Sequence, residues 1–123
     1  MGRIETFEDL DSWQASRDVC KTVYHLTDRA ELEQDWVLRD QMRRAAISIM
    51  SNIAEGFGRH SNKEFIQFLT VARGSAEELE SQTYLLEDLY ALSKDDLDPL
   101  FNRLGDTVRL INGLLRYLRQ LSN

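Results

Sequence analysis

Cys20, His25 and His60 are the side chains best suited to chemistry in this 123-residue sequence, and their surroundings give each an ordinary role. Neither histidine belongs to a Glu-x-x-His pair, which a carboxylate-bridged dimetal bundle takes from two of its helices. One cysteine can form neither a cysteine-rich zinc site nor an internal disulfide, and its isolation points to a reducing compartment. Gly56-Phe57-Gly58 lacks the lysine and the preceding strand of a phosphate-binding glycine loop. Cys20 reads as a small buried hydrophobe, His60 as a solvated turn residue. The expectation is a protein that is not an enzyme, with no catalytic residue, metal, cofactor or small-molecule substrate.

Surfaces are then the remaining carriers of function. The net charge of −6 is unevenly spread. Residues 1–38 hold four basic and nine acidic side chains, residues 39–73 six and three, residues 74–100 one and eight, residues 101–123 four and one. The basic middle contains Arg39, Arg43, Arg44, Arg59, His60, Lys63 and Arg73. Arginine and lysine there suit phosphate contacts, while Asn52 and His60 can add hydrogen bonds, so structured RNA or a ribonucleoprotein is one candidate partner. The alternative is a protein scaffold, in which basic and acidic zones mate between subunits or with another protein.

These residues need helices to place them. One proline and six glycines leave too few turns for an all-β sandwich, and 42% apolar residues suffice for one core. Apolar spacings of three and four predict four helices. The first spans about Leu10 to Asp28 and the second Trp36 to Arg59, with Asp35 as its N-cap. A charged loop, residues 29–35, separates them. Ser61 and Glu64 form a capping box for the third helix, which continues to about Leu92 on a seam of Phe65, Phe68, Ala72, Ser75, Leu79, Gln82, Leu86 and Leu89. The fourth reaches about Leu121 on Leu97, Phe101, Leu104, Val108, Ile111, Leu115 and Leu118. Its preferred start is Asp98 as N-cap with Pro99 in the first turn, the alternative being a kinked start at Ser93. Short links imply a single domain, residues 1–123, built as an all-α, up-down-up-down antiparallel four-helix bundle. Residues 1–9 form a leading arm whose Ile4 and Phe7, with Leu10, can pack back on it. No segment is long and apolar enough for a membrane span, so a soluble cytoplasmic protein without a membrane partner is expected.

The outward side of the second helix carries Arg44, Ser48, Ser51, Asn52, Glu55 and Arg59. Short polar side chains are unusual on a merely solvated helix face. They are expected at a subunit boundary, with Arg44 and Glu55 as a pair across it. On the third helix Ile66, Leu69 and Tyr84 lie off the core seam, and Gly74 would admit another backbone closely, so a second copy of the chain is the expected cover.

The stretch from Gln41 to Gly56, QMRRAAISIMSNIAEG, followed by Arg59, resembles the signature of the four-helix-bundle family of 23S rRNA intervening-sequence proteins. So does Glu64 to Leu79, EFIQFLTVARGSAEEL, with Phe7, Leu10, Trp13, Ala15 and Gln82 in support. The resemblance covers almost the whole chain. It implies a left-handed antiparallel bundle, bacterial and cytosolic, assembled as a homopentamer. Some relatives are encoded inside insertions in 23S rRNA genes. Distantly similar pentamers assist the reverse transcriptases of diversity-generating retroelements and bind protein and RNA through a basic surface. Met50 departs from the pattern, standing where the family usually has proline.

Overall fold

The computed structural model describes residues 3–121. Four helices form, α1 (Asp11–Thr27), α2 (Trp36–Gly58), α3 (Asn62–Tyr90) and α4 (Lys94–Leu121), with short 3-10 turns at Phe7–Asp9 and Ala30–Leu32 and no strand among the described residues. Each helix packs on its neighbours in sequence, and α4 closes against α1. The pairings fix their directions. Gly56, late in α2, abuts Phe65 and Phe68, early in α3, while Tyr90 at the end of α3 reaches Asp35 at the start of α2. Arg73 meets Asn112 and Tyr84 meets Phe101 across α3 and α4, and Thr22 and Arg29 meet Arg103 and Asp96 across α1 and α4. The expected antiparallel four-helix bundle is therefore present.

Local chemistry sets the helix ends. Asp35 accepts from the Leu38 amide at 3.0 Å and opens α2, as its position predicts. Ser61 accepts from the Glu64 amide at 3.3 Å and opens α3, though the reciprocal Glu64 half of the expected box does not form. For α4 the preferred start is wrong. Ser93 Oγ accepts from the Asp96 amide at 3.2 Å, and Asp96 Oδ2 accepts from the Ser93 amide at 3.0 Å. That reciprocal cap outweighs the single backbone bond lost at Pro99, which lies inside the helix. α3 closes on Ala91 at φ 55°, where the Leu92 amide bonds to the Leu86 carbonyl and buries the Leu92 side chain.

In the core of α2 the expected face is buried: Leu38, Met42, Ala45, Ile49, Ile53 and Gly56. α2 runs unbroken through Met50. The seam of α3 needs correction. Phe65, Ala72, Leu79 and Leu86 are buried as expected, but alternate positions belong to Leu69, Ala76 and Thr83. Phe68, Ser75 and Gln82 are only half-buried and Leu89 is exposed. α4 shifts likewise, burying Leu100 and Thr107 and leaving Phe101 and Val108 half-covered. A bundle helix touches two neighbours and covers an arc wider than a two-position stripe, so both candidate rows are partly covered and helix rotation decides which faces the centre. Thr83 and Thr107 survive on the inner row because each hydroxyl donates to the carbonyl four residues back, at 2.7 and 2.8 Å.

The connection from α1 to α2 is more than a charged loop, because Leu32 is fully buried there. In the arm, Phe7 packs edge-on against Trp13 with ring centroids 5.0 Å apart, whereas Ile4 is exposed. The arm's first two residues lie outside the described residues.

Candidate functional site

The basic residues expected to share one patch lie along the full length of α2 and beyond it. From Arg39 to Arg59 the helix rises about 30 Å. At one end Arg39 stacks on Trp36, 5.6 Å from the ring centroid, and donates to the Glu33 carbonyl at 3.1 Å. Arg43 turns toward α1, lies 4.5 Å from the Tyr24 ring centroid and donates to the Thr27 hydroxyl at 2.9 Å. Arg73 is on α3 and donates to Asn112 Oδ1 of α4 at 2.9 Å. All three are half-buried; Arg43 and Arg73 tie neighbouring helices together, and Arg39 ties α2 to the connection before it. Arg44 stands exposed midway along α2.

Arg59, His60 and Lys63 do gather, at the turn from α2 to α3, and all three are exposed. Arg59 pairs with Glu55 one turn back at 3.0 Å and lies 5.1 Å from the Phe68 ring centroid. His60 takes φ 55°, a left-handed conformation usually given to glycine at a helix end. Beside it a cleft of about 440 Å³ is lined by Phe57, Phe65, Asn62 and Tyr117.

The polar stripe of α2 also divides. Ser48 Oγ and Ser75 Oγ are 2.7 Å apart, and Asn52 Nδ2 donates to both the Ser48 carbonyl and the Ser48 hydroxyl. Ser48 and Asn52 are thus half-buried between α2 and α3 within one chain, while Arg44, Ser51 and Glu55 face outward. Glu55 already holds Arg59, so the expected Arg44–Glu55 pair has a competitor in its own helix. Leu69 is a correction: it is fully buried in the core and unavailable to a partner. Ile66 is half-buried against the core, and Tyr84 is 53% exposed. Gly74 makes no close approach inside the chain, since a Cβ built there meets nothing within 4 Å. The close approach occurs at Gly56, whose Cβ would fall 2.6 Å from Phe68 Cβ.

Cys20 is half-buried with its Sγ 3.4 Å from Met50 Sδ, and burial pushes its thiol up to about 11. At neutral pH it stays protonated, which suits packing rather than attack. Asp35 is held below the ordinary carboxylate value by the Tyr90 hydroxyl, which donates at 2.5 Å, and then by the Leu38 amide. Among the described residues no group of three or more His, Cys, Asp or Glu could hold a metal ion, and no helix is long and apolar enough to cross a membrane.

One basic cluster escaped the sequence reading. Lys21, His25, Arg29 and Arg103 converge on a cleft of about 370 Å³ between α1 and α4. The acidic average of residues 1–38 concealed it. The four-residue spacing of Lys21 and His25, which aligns them on one side of the first helix, with Arg29 just past its end, is the available signal.

The fold defines an all-helical four-helix bundle. The chain belongs to the 23S rRNA-intervening sequence protein family, whose sequence model matches residues 8–113. A solved structure with the same fold is a protein of unknown function from the S23 ribosomal protein family of Bacteroides thetaiotaomicron VPI-5482. It is 23% identical, covers 85% of this chain and 97% of its own, and superposes with a TM-score of 0.77. No curated protein matches this sequence.

Proposed function

We propose that this chain is a non-enzymatic binding protein of the bacterial cytoplasm that works as a homo-oligomer, a pentamer by family resemblance, joined through the outward side of α2 and α3. The observation that carries this reading is Gly74. A glycine inside a helix costs roughly 1 kcal/mol relative to alanine, and nothing in its own chain packs close enough to require one. Along the exposed sides of the same two helices lie Val37, Val71, Leu85 and Leu89, between 41% and 75% exposed. The occupant we assign is a second copy, because charge favours it. α2 carries three basic and two acidic side chains and α3 two basic and six acidic, so the exposed Arg44 of one copy suits the acidic second half of α3 in the next. Such a head-to-tail contact closes into a ring of five when each copy is turned by about 72° from the last. The lone cysteine supports a reducing compartment.

Light scattering on wild type and Gly74→Leu tests the assembly. In the isolated chain the introduced leucine side chain meets open space and improves helix propensity, so the variant should keep its helicity yet lose the oligomer. A monomeric wild type, or an unchanged oligomer in Gly74→Leu, refutes the assigned face.

A second reading, RNA as the ligand of the assembled protein, is favoured by the α2–α3 turn. His60 keeps a conformation glycine would adopt more cheaply, between exposed Arg59 and Lys63 and beside an aromatic-lined cleft suited to an unstacked base. Repeated around a ring, a weak site would bind by avidity. RNA retained by the purified oligomer at low salt, and released by Lys63→Glu or His60→Gly, supports it; retention that ignores both substitutions removes this turn from RNA binding.

A further inference from the structure

The cleft between α1 and α4 has the geometry of an anion slot. Two cross-links bound it. At one end Arg29 Nη1 stands 3.4 Å from Asp96 Oδ1, and at the other Arg103 Nη1 donates to Thr22 Oγ1 at 2.8 Å. These rungs are seven residues apart on both sides, about 10 Å along the helices. His25 and Pro99 line the cleft as well.

The charges are unequally engaged. Arg29 is held by Asp96 and by Glu31, the latter at 2.9 Å, so both carboxylates near it are occupied. Its Nε is shielded from solvent and makes no hydrogen bond. Arg103 meets only a neutral hydroxyl, and Lys21 has no side-chain partner among the described residues. Asp28 lies in the adjoining cleft with Lys21 and His25 rather than in this one. The slot therefore offers two cations not committed to a carboxylate, with imidazole and guanidine N–H groups around them. Complementing the negative end of α1 explains His25, in its last turn; it explains neither Lys21, more than a turn further back, nor Arg103, which reaches back from another helix.

We propose that this slot binds a phosphate monoester, its near-dianionic group set against Lys21 and Arg103 at one end and accepting a hydrogen bond from His25 beside them. A monoester matches two free cations in charge, whereas a single backbone phosphodiester carries one negative charge. The proposal is independent of the oligomer and of the α2–α3 turn, since it uses none of their residues.

Phosphorus NMR line broadening reads weak binding directly, with inorganic phosphate and a nucleoside monophosphate as probes on the full chain. Wild type and Arg119→Gln, a change at an exposed arginine of α4 outside the slot and the assigned oligomer face, should broaden both signals equally. Lys21→Gln and Arg103→Gln should each weaken binding about tenfold, the loss expected for one charged hydrogen-bond donor. If Arg103→Gln loses helicity, Lys21→Gln decides alone, because its side chain ties nothing together. Undiminished broadening in Lys21→Gln overturns the proposal, as does a loss in Arg119→Gln equal to that in the slot variants. A short oligoribonucleotide with hydroxyls at both ends should fail to displace the monophosphate; displacement at equal concentration overturns the monoester assignment and gives the slot to a nucleic-acid backbone.

Discussion

The α2–α3 seam and the α1–α4 seam are built on opposite plans. Between α2 and α3 the contact is the most extensive in the bundle, and side chains shrink to permit it: Gly56 under Phe68, Ser48 against Ser75, Ala45 and Ala46 nearby. Between α1 and α4 the polar links are long, reaching through Arg29 and Arg103, and a cleft opens between them. Where backbones approach closely, sterics specify the partner and leave no room for a ligand. Where charged side chains bridge a wider gap, little stability depends on them and solvent-filled space remains.

That contrast can be tested by breaking each seam in turn. The largest effect should come from Leu69→Ala, which empties a fully buried site next to α2; a loss of about 2–5 kcal/mol in denaturant unfolding is expected. If Leu69 instead lay on an outer face, the change would be near zero. Gly56→Ala should follow, destabilising by about 1–3 kcal/mol because the new methyl meets Phe68 Cβ, despite a better helix propensity. Gly74→Ala should do the reverse for the isolated subunit, raising its stability by up to about 1 kcal/mol. Two glycine substitutions of opposite sign would establish that close packing inside the subunit resides at Gly56 and not at Gly74. On the other seam, Arg103→Gln should change stability by less than about 0.5 kcal/mol.

The smallest effect concerns acid. The Asp35 carboxyl is depressed below its ordinary 3.8 by the Tyr90 hydroxyl first and the Leu38 amide second. A carboxyl depressed on folding favours the fold above its ordinary value and ceases to do so as pH falls through the folded one. Melting temperature should therefore drop as pH is lowered below about 4, and Asp35→Asn should flatten that limb while lowering stability at neutral pH.

The sequence was most legible where one physical signal acted alone. Asp35 and Ser61 cap where their side chains say they should, and the α2 core face follows from periodicity without ambiguity. It misled where two signals competed. Pro99 suggested a later start for α4, but the Ser93–Asp96 cap is the stronger local device. Ser48 and Asn52 were read as outward because they are polar; they are satisfied instead by Ser75 and by their own helix. The expected basic patch failed for a similar reason: residues close in sequence along a helix are spread over its length and its faces.

Residue order by itself determined four helices, their order and most of their ends, because capping and apolar periodicity are local. It determined the family as well, through the run from Gln41 to Leu79. Only the tertiary structure decided which of two adjacent rows on α3 and α4 faces the centre, since Phe65, Ala72, Leu79 and Leu86 serve either choice and the rotation of each helix depends on both neighbours. It alone also brought Arg103 to Thr22, 81 residues away, and so assembled a basic cleft from segments whose own averages point in opposite directions. Charge summed along a chain is not charge summed over a surface.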